Sequence, residues 1–308
     1  MIEFLVLLIA AIFAGLLLHG LHRKIIARVQ CRPGPPIWQE VLHTLKFSFK
    51  QTWIPKTASQ VLYVAIVLIA IGIWVAALWV VATGATLLIL FALYMLHKIV
   101  EHGTGLSSGS PYTKFGAIRS VMSAAAELPL LATVAIVCLF TETLSIGEIA
   151  AGNIAAWDTV AKDIATGNIV SWHILQWPLL IIAFPAAVSL YLLILSKAHY
   201  GPFSVIEAKE LVSGYWTEHF GGWRALLNIA TSLKTVVLLS AFVLVFIGAV
   251  PWWLVIILMI ILLISVSFVC AATPMLNPYQ VVTVQTVWTI VVVIYGAVVW
   301  LLKLGGLL

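Results

Sequence analysis

Long hydrophobic runs alternate with shorter polar segments along the whole chain. With a window of about 19 residues, eight runs are apolar enough to cross a membrane as helices. They cover residues 3–20, 60–81, 84–100, 119–143, 173–196, 223–248, 251–271 and 281–303. Each run is continuous, whereas the strands of a membrane barrel alternate in segments of about ten residues. The pattern therefore predicts an all-α polytopic membrane protein with about eight transmembrane helices.

The polar segments divide the predicted bundle into two sides. Segments 21–59, 101–118 and 197–222 lie on one side, and residues 21–56 hold seven of the sixteen Lys and Arg residues. We interpret Lys98, Lys114 and Arg119 as basic loop residues on that side, where they outnumber the one acidic residue, Glu101. Because cytoplasmic loops carry an excess of Lys and Arg, this side is predicted to be cytoplasmic and both termini extracytoplasmic.

The opposite side is acidic. Between residues 141 and 172 the acids outnumber the single Lys162. The four acids are Glu142, Glu148, Asp158 and Asp163. We expect residues 145–171 to form an extracytoplasmic surface connection without a catalytic role.

Composition narrows the class of protein. Of 308 residues, 63% are hydrophobic and 9% charged, whereas a soluble domain has about 25% charged residues. The chain is therefore predicted to be one integral-membrane domain, 1–308. Its net charge of +5 is assigned to the cytoplasmic face, and a polytopic chain without a basic extramembrane domain is not expected to bind nucleic acid. The acidic Glu3 and the absence of an A-x-A site predict a retained first helix instead of a cleaved signal peptide.

The cysteines do not indicate a metal site or a disulfide framework. Cys31, Cys138 and Cys270 are odd in number and far apart. We therefore expect no CxxC metal site in this chain.

Two ionisable residues fall well inside predicted spans: Glu127 in "SVMSAAAELPLLATVAI" and Lys234 in "LLNIATSLKTVVLLSAF". A charge at the centre of a bilayer costs about 2.5–3.5 kcal/mol on insertion scales, so each should face the bundle interior and have a partner. Two structural interpretations stay open: Glu127 as a protonated carboxyl bound to a neighbouring helix, and Lys234 as a side chain that reaches the interface. We favour proton or ion handling by the pair.

Three motifs, in order along the chain, carry a family resemblance. "HRKIIARVQCRPGPPIWQEVLHTLKF" resembles a basic signature followed by an interfacial amphipathic helix, and "KFGAIRSVMSAAAELPL" and "PFSVIEAKELVSGYWTEHFGG" resemble the two other family motifs. The matching residues are Arg23, Lys24, Gln30, Arg32, Gly34, Pro35, Gly116, Arg119, Glu127 and Pro129. The chain thus resembles the membrane subunit shared by respiratory complex I and the energy-converting membrane-bound nickel-iron hydrogenases.

The departures from the family pattern favour the hydrogenase branch. Quinone-reducing members tend to carry an Ala-Glu-Tyr-type motif in the sixth span, where this chain has "ATSLKTVV" with Lys234. Ser204 replaces an Asp, His22 stands where respiratory members usually have Glu, and Lys209 lies among the acids. The assignment of Glu207 and Glu210 to particular family glutamates stays open.

The resemblance implies a cofactor-free subunit that docks a peripheral redox module and couples its electron transfer to proton or sodium translocation. It implies an ion route through Glu207, Glu210 and Glu218 at the cytoplasmic side, continued by Glu127 and Lys234 and by His199 or Tyr215. The residues expected to dock the peripheral arm are Arg23, Lys24, Arg28, Arg32, Gly34, Pro35 and Arg119.

The implied partners are nickel-iron hydrogenase-like large and small subunits, an iron-sulfur subunit, antiporter-like membrane subunits and lipid, with ferredoxin acting indirectly. Iron-sulfur clusters and a nickel-iron centre are expected on those partners. Two alternatives stay open: a quinone-site subunit of a respiratory NADH dehydrogenase-like complex, and a stand-alone secondary transporter. A transporter would show inverted repeats with broken helices in matching positions, which the sequence does not display convincingly.

Overall fold

A computed structural model describes residues 2–123, 128–166, 178–197, 201–203 and 218–305. These residues form helices α1 Ile2–Val29, α2 Gln39–Phe49, α3 Gln60–Thr83, α4 Leu87–Ser107, α5 Pro111–Ser123, α6 Leu128–Thr141, α7 Ile146–Thr166, α8 Leu179–Ile182, α9 Phe184–Lys197, α10 Gly222–Phe246, α11 Trp252–Ala272 and α12 Pro278–Leu304. Within these ranges the β pairing is limited to one isolated bridge, between Thr86 and Ser145. The predicted all-α polytopic fold is confirmed.

Among the described residues, six helices are long and apolar enough to cross a membrane: α1, α3, α4, α10, α11 and α12. Shorter apolar helices cover Pro129–Thr141, inside α6, and Phe184–Lys197, which is α9. Each of these helices overlaps one of the eight predicted runs. In α12 only 17% of the apolar window is buried, as expected for a helix whose side chains meet lipid or another membrane subunit.

Helix α10 lies at the centre of the bundle. Its apolar window is 83% buried, the highest fraction among the six long helices, and it packs against α1, α2, α3, α7, α9 and α11. A polar side chain on this helix is therefore surrounded by protein and not by lipid. Lys234 lies on α10 and is 5% exposed.

Helices α1 and α10 approach each other closely at Gly15. A Cβ atom built on Gly15 would lie 2.4 Å from the carbonyl oxygen of Ser232. Small residues allow such close approach of membrane helices, which then associate by packing because no hydrophobic driving force acts between them. One turn further along α1, the ring of His19 reaches the hydroxyl of Thr235 at 2.9 Å.

The first polar segment begins as a continuation of α1. The helix runs past residue 20 to Val29, and the chain then turns at Gly34, where φ is +70°. Helix α2 follows and packs on α1 and α10. Its exposed apolar side chains Leu42, Leu45 and Phe49 recur at helical spacing on one face, which is the pattern of a helix lying in a membrane interface.

The interpretation of Lys98 and Glu101 as loop charges is wrong. Helix α4 continues to Ser107, and Pro111 begins α5 after a short turn, because proline is well suited to the first position of a helix. Both charged residues therefore lie in α4, and Glu101 is 2% exposed.

The acidic segment after α6 also contains a helix. Asn153 fixes α7 to the bundle: its amide donates to the carbonyl of Val245 at 2.6 Å and its oxygen accepts from the N–H of Leu179 at 3.0 Å. Glu148 and Asp158 are exposed. The segment is thus an ordered helix with an acidic outer face and not only a connection.

The start of α1 and the end of α12 lie on the same side of the bundle as the start of α7. Phe4 stacks edge-on against Trp79 near the end of α3, with centroids 4.9 Å apart. The turn after α3 bonds to the start of α7, because Gly147 N–H donates to the carbonyl of Gly84 at 3.0 Å. At the other terminus, Lys303 pairs with Glu142 at 2.5 Å, and this cation holds the pKa of Glu142 below its usual value.

We expect α7 to be extracytoplasmic. Asp158→Cys, in a chain with its native cysteines replaced, should react with a membrane-impermeant maleimide only from the outer face of sealed vesicles. The reason is the distribution of Lys and Arg over the two sides of the bundle. The matched control is a chain retaining only the exposed native Cys31, which should react only from the cytoplasmic face. Labelling of the Asp158→Cys chain from the cytoplasmic face would invert the topology and every site assignment based on it.

Candidate functional site

A buried group of charged side chains is centred on the carboxylate of Glu101. Oxygen Oε2 lies 3.1 Å from Nζ of Lys98 and 3.3 Å from Nζ of Lys197, and Oε1 lies 3.7 Å from Nζ of Lys234. His97 Nε2 lies 3.2 Å from Oε1. All five side chains are less than 10% exposed. We call these five residues the Glu101 cluster.

Three helices build the Glu101 cluster. His97, Lys98 and Glu101 lie on one face of α4, because side chains three and four positions apart are neighbours on a helix. Lys197 is the last residue of α9, and Lys234 lies near the middle of α10. A shift of any of the three helices would therefore change the distances between the charges.

The tautomer of His97 follows from its neighbours. The indole N–H of Trp74 donates to His97 Nδ1 at 3.1 Å, so in the neutral ring the proton sits on Nε2. That nitrogen faces Glu101. Trp74 is fully buried and packs edge-on against the imidazole, with centroids 4.9 Å apart. The indole thus fixes the orientation of a proton-carrying group next to the carboxylate.

Charges held this close in a bundle interior interact strongly. Two unit charges 4 Å apart interact by about 4 kcal/mol at an effective dielectric constant of 20, against about 1 kcal/mol in bulk water. A charge that appears or disappears at one member of the Glu101 cluster therefore alters the proton affinity of the others. The arrangement is suited to the capture and release of protons.

The structure places some of the predicted ion-route residues and not others. Lys234 is buried, and Glu101 is one of its partners. Glu127 lies outside the described residues, as do Glu207 and Glu210. Sequence reasoning missed Glu101 because it was assigned to a loop, although its spacing from His97 and Lys98 in "HKIVE" is that of one helix face.

Glu218, His219 and Phe220 are fixed to the start of α3. The hydroxyl of Tyr63 donates to the carbonyl of Glu218 at 2.9 Å and accepts from the N–H of Phe220 at 3.3 Å. The ring of His219 stacks on Tyr63, with centroids 4.2 Å apart and planes 8° apart. The Glu218 end of the third polar segment thus has a defined position.

The same short segment also contacts the chain that follows α2. The N–H of Gly222 donates to the hydroxyl of Thr52 at 2.9 Å. Trp53 stacks on Phe220 with centroids 4.5 Å apart. The first and third polar segments therefore meet on this side of the bundle.

Burial, with a smaller contribution from the charge of Arg224, lowers the pKa of His219 to about 3 from 6.5. The ring stays neutral in the folded chain, while an unfolded chain binds a proton below pH 6.5. The free energy of unfolding should therefore fall as the pH falls below 6.5, by about 2 kcal/mol at about pH 5. Thermal unfolding in detergent should show this loss for the native chain and a smaller loss for His219→Phe.

His43→Phe is the matched control for that measurement. His43 lies on α2, and burial also lowers its pKa, but 40% of its side chain is exposed. Solvent screening should make its contribution to the pH dependence smaller. Equal slopes for the native chain and His219→Phe would show that His219 takes a proton in the folded state.

The expected docking residues are mostly brought together at the end of α1. Arg23 pairs with Glu40 of α2, and the guanidinium of Arg32 donates to the side-chain oxygen of Gln30. Arg28 and Arg32 are exposed. The docking residues Arg23, Arg32, Gly34 and Pro35 line an open cleft of about 570 Å³ together with Ile26, Ala27, Gln30, Pro33 and Cys270.

One predicted docking residue lies elsewhere. Arg119 sits on α5, whose main packing partners are α4 and α12. Lys24 precedes the exposed end of α1 and is half-buried. The positive surface at the end of α1 therefore does not include Arg119.

The chain is similar to proteins that are named as NADH-ubiquinone oxidoreductases. A Methanocaldococcus jannaschii protein named as an NADH-ubiquinone oxidoreductase is 41% identical over 305 residues, which cover 97% of this chain and 96% of that protein. NADH-ubiquinone oxidoreductase chain 1 of Oncorhynchus mykiss is 26% identical over 260 residues, 79% of this chain and 73% of that one.

The fold is also found in a solved complex. A chain of the membrane-bound sulfane sulfur reductase, an archaeal respiratory membrane complex, superposes with a TM-score of 0.80 at 23% identity, covering 96% of this chain and 98% of that chain. The sequence profile of the family described as NADH dehydrogenase matches residues 2–302. The chain therefore belongs to the NADH dehydrogenase family.

Proposed function

We propose that this chain is the membrane subunit of an energy-converting, hydrogenase-type complex, and that it couples electron transfer in a peripheral redox module to translocation of protons or sodium ions. The observation that carries the proposal is the Glu101 cluster. Burial of an ionisable residue inside a membrane bundle costs free energy, and such residues usually belong to ion or proton pathways. Here five of them converge from three helices around one carboxylate.

The coupling rests on electrostatics within this chain. A charge change at the cytoplasmic segments reaches the Glu101 cluster through the bundle interior, where screening is weak. The carboxylate of Glu101 and the amines of its lysine partners then change their proton affinities together. Lys234 connects this response to the central helix α10, and the predicted Glu207, Glu210 and Glu218 supply the cytoplasmic end of the route.

The proposed complex holds its cofactors elsewhere. Iron-sulfur clusters and a nickel-iron centre belong to hydrogenase-like large and small subunits and an iron-sulfur subunit, with ferredoxin as the electron donor. Antiporter-like membrane subunits are the proposed partners of the exposed apolar helices. The solved sulfane sulfur reductase, an archaeal respiratory membrane complex with a chain of this fold, supports an assembly of this kind. The terminal electron acceptor differs between the two complexes.

A quinone-oxidoreductase role is the second candidate, favoured by two observations. Relatives that cover most of this chain are named for ubiquinone, and the cleft of about 570 Å³ at the end of α1 is within the size range of small-molecule sites. Lys234 in "ATSLKTVV" supports the hydrogenase branch instead.

Purification of the intact complex under mild detergent tests the proposal. The chain should leave the membrane with several different subunits, nickel and iron should co-purify, and sealed vesicles should form an ion gradient when supplied with reduced ferredoxin. Bound quinone and ferredoxin-independent quinone reduction would support the second candidate. Recovery of a stable homo-oligomer without partners would indicate a stand-alone transporter.

A further inference from the structure

The outer face of α2 carries a continuous apolar stripe. Trp38, Leu42, Leu45 and Phe49 follow one another three or four positions apart, so their side chains lie on one face of the helix. Between 48% and 88% of each residue is exposed, and Phe49 at the end of the helix is the most exposed. The stripe is therefore an apolar surface that the rest of the described chain leaves uncovered.

Two lysines lie along one edge of this stripe. Lys46 is in the last turn of α2 and Lys50 is its C-cap. Because each residue turns about 100° around a helix axis, both lie beside the stripe on the same side. Both are exposed. The one acid of α2, Glu40, has 16% of its side chain exposed and pairs with Arg23 of α1. The outer face of α2 thus combines apolar side chains with cations, and its single carboxylate is turned toward α1.

Both ends of α2 lie at the level where membrane spans meet the polar segments. The predicted first span ends at Gly20, and the backbone of Ile37, directly before α2, lies against it. A Cβ atom at Gly20 would collide with the carbonyl oxygen of Ile37. After α2, Trp53 stacks on Phe220, whose N–H donates to the hydroxyl of Tyr63 in the first turn of α3. A helix held at this level at both ends lies along the membrane surface.

The residue types distinguish a lipid surface from a protein partner. Tryptophan is enriched where membrane meets water, because its ring is apolar and its N–H is polar. Trp38 and Trp53, at the two ends of α2, are 61% and 51% exposed. Lysine is depleted in protein–protein interfaces, whereas beside a membrane it lays its stem on apolar surface and keeps its ammonium in water. The outer face of α2 therefore fits a lipid surface that carries negative charge.

The end of α2 is also attached to the third polar segment. The N–H of Gly222 donates to the hydroxyl of Thr52 at 2.9 Å. Gly221, where φ is +57°, lies so close that a Cβ atom on it would be 2.7 Å from the carbonyl oxygen of Gln51. The contact leaves no room for a side chain at Gly221. A ligand that fixes α2 in the membrane surface would therefore also fix this contact.

We propose that the outer face of α2 is a binding surface for anionic phospholipids in the leaflet on the predicted cytoplasmic side. The ammonium groups of Lys46 and Lys50 bind the headgroup phosphates, while the apolar stripe enters the boundary between headgroups and acyl chains. Binding of the lipid holds residues 51–53 against residues 220–222. The proposal is independent of the coupling function, because it requires only this chain and a membrane.

The test uses the full chain, with its native cysteines replaced, in phosphatidylcholine vesicles. A nitrobenzoxadiazole fluorophore on Phe49→Cys reports which lipids lie at the stripe, through quenching by doxyl-labelled phosphatidylglycerol or doxyl-labelled phosphatidylcholine. The anionic lipid should quench at the lower mole fraction, and salt should reduce the difference. A lysine near an anionic surface contributes about 1 kcal/mol, or about fivefold in affinity. Lys46→Gln should therefore reduce the preference about fivefold, and Lys46→Gln with Lys50→Gln should remove most of the remainder.

Two further variants separate a local site from an effect of net charge. Lys114→Gln removes one exposed lysine from α5 and is the matched control for Lys46→Gln, so it should keep the native preference. Lys46→Arg with Lys50→Arg retains both charges beside the stripe and should also keep it. An equal loss of preference in Lys114→Gln and Lys46→Gln would show a general charge effect and overturn the site.

The remaining outcomes decide the occupant of the stripe. Equal quenching of the native chain by the two lipids would show that α2 does not select anionic headgroups, and the proposal would fail. The measurement is repeated in the assembled complex, where quenching should persist. A fluorophore that neither lipid quenches there would mean that a partner subunit covers the stripe. Phosphatidylglycerol should also slow hydrogen exchange at the N–H of Gly222, and equal exchange in both lipids would overturn the link to the third polar segment.

Discussion

Glu101→Gln should abolish most of the ion gradient formed per electron transferred, by about tenfold or more. The amide keeps the shape of the side chain but removes the charge to which Lys98, Lys197 and Lys234 respond. Without that charge, the proton affinities of the lysines no longer change with the charge state of the cytoplasmic segments. The gradient is measured in sealed vesicles with a pH- or sodium-sensitive dye, and electron transfer to an artificial acceptor is measured in parallel.

Removal of one partner from a buried ion pair is also costly, by about 3–5 kcal/mol in soluble proteins. Assembly of the Glu101→Gln complex must therefore be checked before its activity is interpreted. Lys234→Met removes an opposite charge from the same cluster, so the double variant should assemble better than Glu101→Gln alone. It should remain uncoupled, since neither charge is restored.

Glu148→Gln provides the matched control. Glu148 is exposed at the start of α7, away from the Glu101 cluster, so its loss should change neither assembly nor coupling. Normal pumping by an assembled Glu101→Gln complex would show that the cluster is structural. The route would then have to run through other residues, with Glu127 and the segment from Glu207 to Glu218 as the remaining sequence-based candidates.

The fold could be predicted from hydropathy because each long helix must satisfy its backbone internally and place an apolar surface against lipid or protein. The interfacial helix α2 was predictable for a related reason, since its apolar and polar faces are separated. Sequence reasoning did not locate the end of α4. When hydropathy alone sets the boundary, the end of a helix that carries His, Lys and Glu is assigned to a loop. In the structure, buried partners of these residues come from α9 and α10.

The candidate site could be predicted only in part, because hydropathy does not show which helices pack together. Lys234 stood out because a cation in the middle of an apolar run needs a partner, but hydropathy cannot say which helix supplies it. The partner Glu101 is distant in sequence, and its burial depends on how α4, α9 and α10 pack.

Charge reversal at Arg28 and Arg32 should release the peripheral module while the membrane part of the complex stays assembled. Both guanidiniums are exposed at the end of α1, where a proline-stiffened turn holds the chain in place and reduces the entropy lost on docking. Like charges set against each other at an interface cost several kcal/mol. We therefore expect the Arg28→Glu, Arg32→Glu variant to weaken binding of the module by about a hundredfold, or roughly 3 kcal/mol.

Two comparisons separate docking from general charge effects. Lys114→Glu reverses an exposed charge on α5, outside the positive surface at the end of α1, and should retain the module. Arg28→Gln with Arg32→Gln removes the charges without reversing them and should give an intermediate loss. The affinity of the native complex should fall as salt is raised, because exposed charges are screened beyond about 10 Å at 0.1 M ionic strength. Retention of the module by the double reversal at moderate salt would mean that these arginines serve topology or lipid phosphates, and that the docking surface lies elsewhere on the cytoplasmic side.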